Sequence, residues 1–115
     1  MQYKLHTIRG IEIAELTDGG VIESGSAFLE MAMNIPHDNI IIHKELLPDS
    51  FFDLKGGLAG DILQKVSNYK LRIVIVGDFS KYESKSLRDF IFESNKSKTV
   101  GFVGSVDEAL EKFRN

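Results

Sequence analysis

The sequence contains no cysteine. That excludes a disulfide framework, thiolate zinc sites and a cysteine nucleophile, and it fits a reducing compartment. No apolar run approaches the roughly 20 residues of a spanning helix, and no stretch resembles a signal peptide. A cytoplasmic location without a membrane partner is therefore expected. An excess of basic residues is also missing. Lys and Arg number 14 against 17 Asp and Glu, for a net charge of −3. Binding to a phosphate backbone needs clustered Lys and Arg, and the densest run here, Lys96 and Lys98, is interrupted. Nucleic acid is therefore not expected as a partner. There is no internal repeat, linker or low-complexity segment.

What remains is ordinary globular material. The 115 residues, 43% hydrophobic and 27% charged, suit one domain over residues 1–115 with one sizeable core. Tyr3, Leu5 and Thr7 alternate with Lys4 and His6, the period of a half-buried strand. Arg9-Gly10 reads as a turn, and Ile11, Ile13 and residues 14–16 as the second strand of a hairpin. After the turn Thr17-Asp18-Gly19-Gly20, Val21 and Ile22 suggest a short third strand. Ala27, Phe28, Met31 and Ile35 share one helical face, with Ser24 or Ser26 as cap and Pro36 as stop. Ile40-Ile41-Ile42 reads as a strand buried on both faces. Leu58, Ile62, Val66 and Tyr69 mark a helix, and residues 71–76 the strongest strand. Ser84 precedes a helix with Leu87, Phe90 and Ile91 inward, and residues 100–103 form a last strand. Ser105 and Glu108 make a capping box for a final helix carrying Ala109, Leu110 and Phe113. Strands alternating with helices predict an α/β fold. The expected sheet is mixed but mostly parallel, with 4–5 strands, an N-terminal β-hairpin and about four helices. Ile41, Ile62, Ile73, Ile75, Val76 and Phe90 are its expected core.

Open α/β sheets bind beyond the carboxyl ends of their strands. Three such ends are legible. His43-Lys44-Glu45 leads into a loop holding Asp53, Lys55, Gly56 and Gly57. Gly77-Asp78-Phe79-Ser80 continues to Ser84 and Lys85. Gly104-Ser105 is the third. Gly56-Gly57 before a helix offers backbone N–H groups to an anion, although it matches neither a Walker loop nor a dinucleotide fingerprint, and a tight turn explains it more simply. Asp53, Asp78 and His43 are the acid–base or metal candidates, but no ligand spacing supports a metal, and both aspartates suit bonds within their own loops. Ser84, Lys85 and Ser86 hold the ingredients of a Ser–Lys pair without its known spacing; a helix cap is the simpler account. His6 and His37 have no visible partner. Phe51-Phe52 is the one pair of large apolar residues in a loop, one expected to plug the core and the other to serve an interface. No catalytic residue, metal or cofactor is assigned. The binding candidates are Asp53, Lys55, Gly56, Gly57, Gly77, Asp78, Ser80, Ser84 and Lys85.

Three quoted stretches carry a resemblance. They are Phe52-Asp53-Leu54-Lys55-Gly56-Gly57-Leu58-Ala59-Gly60-Asp61-Ile62-Leu63, then Asn68-Tyr69 with Ile75-Val76-Gly77-Asp78-Phe79, then Ser84-Lys85-Ser86-Leu87-Arg88-Asp89-Phe90-Ile91. Together they resemble a bacterial domain-of-unknown-function family, number four-one-eight-zero, over nearly the whole chain. More distantly, the element order resembles the STAS or SpoIIAA-like fold of anti-sigma-factor antagonists and sulfate-transporter domains. That likeness implies a regulatory module for a protein partner, switched by phosphorylation of a loop Ser or Thr. In this chain Leu54 stands where that hydroxyl would be. Three functions are weighed in order: a module binding a protein, a sensor of a nucleotide or anion, and an enzyme using Asp53, Asp78 or His43. A homodimer is left open.

Overall fold

The computed structural model of the chain describes residues 2–114. Met1 and Asn115, the ends of the expected domain, lie outside the described residues. The chain opens with β1 (Gln2–Ile8) and β2 (Ile11–Asp18), paired antiparallel with Ile8 opposite Ile11. Arg9 and Gly10 join them, both at positive φ, 50° and 81°. Two consecutive left-handed residues make the turn whose twist matches its strands.

After the hairpin come α1 (Gly25–Met33), β3 (Asn39–His43), three short 3-10 turns over residues 44–56, and α2 (Leu58–Asn68). Then follow β4 (Arg72–Val76), α3 (Lys85–Lys96), β5 (Val100–Val103) and α4 (Val106–Arg114). Ser24 caps α1 by accepting from the Ala27 N–H. The expected third strand is absent: Ile22 donates one backbone bond to the Leu46 carbonyl and buries its side chain, while Val21 stays exposed. Two residues flanked by Gly20 and Glu23 are too few to carry a ladder.

The five strands lie in the order β1-β2-β3-β4-β5. The pair β1–β2 is antiparallel, and β2–β3, β3–β4 and β4–β5 are parallel. The sheet is thus mixed, and that description replaces the expectation of a mostly parallel one. Strand order never reverses. Right-handed crossovers that always step the same way put every crossover helix on one face. So α1, α2 and α3 all pack on the face showing Ala14, Leu16, Ile40, Ile42, Ile73, Ile75 and Phe102. Among the described residues, only α4 covers the opposite face, where Ala109 and Phe113 meet Ile13, Ile41, Val74 and Val76.

Ile41, Ile62, Ile73, Ile75 and Val76 are buried as expected. Phe90 is only half-buried. Its helix flanks the edge strand β5, and only Leu87 of α3 is fully covered. Phe51 and Phe52 are both buried, so neither is the free interface side chain that was expected. No helix among the described residues is long and apolar enough to cross a membrane.

Candidate functional site

Hydrophobic side chains fix the loops at the carboxyl edge. Phe52 stacks on Tyr82, centroids 5.1 Å apart, and lies 6.0 Å from Phe79. Phe79 in turn meets Phe102 edge-on at 5.4 Å. One aromatic chain therefore ties the β3–α2 loop to the β4–α3 loop and to β5. Aromatic contacts of this kind add about 0.5–1.5 kcal/mol each beyond area burial. The Lys44 ammonium sits 4.9 Å above the Tyr82 ring, and burial pushes the Tyr82 phenol up. Gly77 is required here: a Cβ at that position would overlap the stem of Lys44.

Two open grooves flank Phe52. One, about 470 Å³, is lined by Phe52, Asp53, Leu54, Lys55, Ser84 and Ser86. The other, about 330 Å³, is lined by Lys44, Glu45, Leu47, Asp49, Phe52 and Lys81. The structure therefore places Asp53 and Lys55 on one groove with Ser84. Lys85 instead makes an exposed pair with Asp89 one turn along α3, Nζ to Oδ2 at 2.8 Å.

The candidate acids serve their own loops. Asp53 Oδ1 accepts from the Lys55 N–H, and Asp78 Oδ1 accepts from both the N–H and the hydroxyl of Ser80, at 3.0 and 2.6 Å. The bonds from Ser80 hold the Asp78 carboxyl below its usual range. Ser84 Oγ caps α3 by accepting from the Leu87 N–H. The glycines have no N–H left for an anion: Gly56 donates to the Asp53 carbonyl, Gly57 to Leu54 and Gly77 to Val103. Gly57, at φ +83°, makes the turn into α2.

His43 goes elsewhere. On the α4 face, Glu15 of β2 bridges two histidines. Its Oε1 lies 2.7 Å from Nε2 of His6 on β1, and its Oε2 lies 2.7 Å from Nε2 of His43 on β3. The Glu15 side chain is 13% exposed. Burial works against its charge, but the bonds from His43 and His6 outweigh that and hold the carboxyl below its ordinary value. Sequence reasoning left His6 without a partner. His37, also left alone, meets the Tyr3 ring edge-on. Among the described residues no group of three or more His, Cys, Asp or Glu is placed to hold a metal ion. The two imidazoles approach opposite oxygens of one carboxylate instead of converging on a point.

No curated protein and no solved structure gives a significant match to the chain. A family model described as Domain of unknown function (DUF4180) matches residues 9–113, which span everything from the hairpin turn to the last turn of α4. The chain belongs to the DUF4180 family of domains of unknown function.

Proposed function

We propose that the chain is a regulatory module that docks a protein partner on its carboxyl-edge surface, in the manner of a STAS or SpoIIAA-like domain. The observation that carries this reading is the pair of open grooves around Phe52. Enclosed sites in open α/β sheets form where strand order reverses and neighbouring loops part. This sheet has no reversal, so its loops close over an aromatic floor and leave a broad surface. The rims carry both signs: Glu45, Asp49 and Asp53 against Lys44, Lys55 and Lys81. A mixed field suits partner selection more than capture of one highly charged ligand. With Leu54 at the place of the loop hydroxyl, the switch of this module does not run through residues 53–57.

The test is mapping on a captured complex. A partner cross-linked and recovered from the native organism should protect the amides of residues 44–57 and 78–86 from hydrogen exchange. Lys55→Glu with Lys81→Glu should weaken that complex about tenfold or more, a loss of ~1.4 kcal/mol. Protection confined to another surface, or undiminished binding by the folded double variant, would remove the reading.

A second reading, acid–base chemistry, rests on Glu15. An ionised carboxylate only accepts hydrogen bonds, so each imidazole donates from Nε2, and a neutral imidazole held in this way keeps a basic lone pair on Nδ1. Holding a histidine tautomer in this way is what the carboxylate of a catalytic triad does. Side-chain nitrogen spectra should show the Nε2–H tautomer at both His6 and His43. The opposite tautomer at His43 would remove this reading.

A further inference from the structure

At the other end of the sheet, where β4 and β5 begin, lies a pocket of about 200 Å³. Its lining includes Arg72, Lys96, Lys98 and Lys112, and no carboxylate. Among the described residues, only Lys96 of these four has an acidic partner, Glu93, at 3.3 Å. Arg72 donates from Nε to the Lys98 carbonyl at 2.7 Å and from Nη2 to the Lys112 carbonyl at 3.3 Å, and its guanidinium lies over the Phe113 ring. Lys112 donates from Nζ to the Asn95 carbonyl at 2.9 Å. These bonds aim the cations and do not neutralise them. Gly101 makes the arrangement possible, because a Cβ there would overlap the Lys112 stem where it crosses β5.

The local charge does not balance. The carboxyl ends of α3 and α4 contribute roughly −0.5 each, and Glu93 contributes one more negative charge. Among the described residues, against four cations, this leaves a surplus of about two positive charges, in a chain whose net charge is −3. The donors are also unsaturated. A guanidinium has five N–H groups and an ammonium three. Among the described residues, Arg72 uses two of its five and Lys112 one of its three. Lys98 has no side-chain partner among the described residues.

We propose that this pocket binds a small divalent oxyanion of the phosphate or phosphomonoester class, held by Arg72, Lys98 and Lys112. Planar guanidinium donors match phosphate oxygens in pairs. The volume falls below the roughly 300 Å³ at which pockets for larger organic ligands begin, so the phosphoryl group itself is what enters. The site shares no residue with the partner surface proposed above, and either stands if the other fails.

The test is a titration of the isotope-labelled protein with inorganic phosphate and, separately, phenyl phosphate, with chloride holding ionic strength constant. Saturable shifts are expected at the amides of Arg72, residues 95–98, Gly101 and Lys112. Lys98→Glu, an exposed substitution, should keep the spectrum elsewhere and weaken binding about tenfold, as loss of one charge-assisted contact implies. Tighter binding of phenyl phosphate assigns the site to phosphoryl groups on larger molecules, and tighter binding of inorganic phosphate assigns it to the free anion. Linear shifts that never saturate, or equal affinity in Lys98→Glu, would overturn the proposal.

Discussion

Glu15 shows how a single residue links three strands. Replacing it by Gln keeps the shape, but the amide can accept from only one imidazole. The expected cost at neutral pH is about 1–3 kcal/mol, from losing a hydrogen bond to a charged acceptor and forcing the other tautomer on the second imidazole, which can then only accept from the amide NH2. The pH dependence has a definite sign. The folded-state pKa of Glu15 lies below its ordinary value, so its contribution is complete above that ordinary value and fades as pH falls through the folded one. Urea unfolding of wild type and Glu15→Gln should therefore differ at neutral pH and converge in strong acid. A difference that grows on acidification would contradict the bridge. Asn95 is a second such residue. Its amide accepts from the Phe102 N–H at 2.7 Å and donates to the Phe102 carbonyl at 3.1 Å, acting as one more rung beside edge strand β5. Asn95→Ala should cost about 1–3 kcal/mol and speed exchange of the Phe102 amide.

Elements differ in how far their context was legible. Strand β4 was plain, because an apolar run bounded by polar residues reads as a strand covered on both faces. Ile75 is fully buried within it, and Ile75→Ala should lower stability by about 2–5 kcal/mol, read as a shift in the urea midpoint. The helices α1, α2 and α4 were also plain from their spacing, although Ile35 and Tyr69, expected on the helical faces, lie just past the ends of α1 and α2, and Tyr69 is exposed. Helix α4 carries a burden its sequence does not reveal, since among the described residues it is the only helix on its face. Phe113→Ala should cost about 3–5 kcal/mol and expose Ile13, Ile41 and Val74 to a hydrophobic dye. Helix α3 was read as burying Phe90 as deeply as the central core. Its place beside an edge strand leaves Phe90 half-covered, and Phe92 is 63% exposed.

For the whole molecule, the consequence of sequential strand order is a division of labour between two faces and two ends. One face is thick with three helices, and the other is covered by α4 alone. The carboxyl end gathers Phe52, Phe79 and Tyr82 under mixed charge, and the amino end of β4 and β5 gathers Arg72, Lys96, Lys98 and Lys112. Lys55→Glu with Lys81→Glu should leave the melting temperature nearly unchanged, because exposed substitutions usually cost within about 0.5 kcal/mol. A large drop in melting temperature would show that these lysines hold the loops together.

The sequence by itself determined the elements and their caps, because hydrophobic period and turn chemistry act over a few residues. It determined the hairpin pairing as well: a two-residue Arg9-Gly10 turn sets the register that places Glu15 diagonal to His6. Only tertiary structure decided that β3 lies beside β2, which carries His43 to the second oxygen of Glu15. Likewise, Arg72, Lys98 and Lys112 are separated by 14 or more positions and meet only when β4, the strand-leading loop and α4 pack together. Charge spacing along a chain cannot report such a meeting, because crossover packing sets it and local propensity does not.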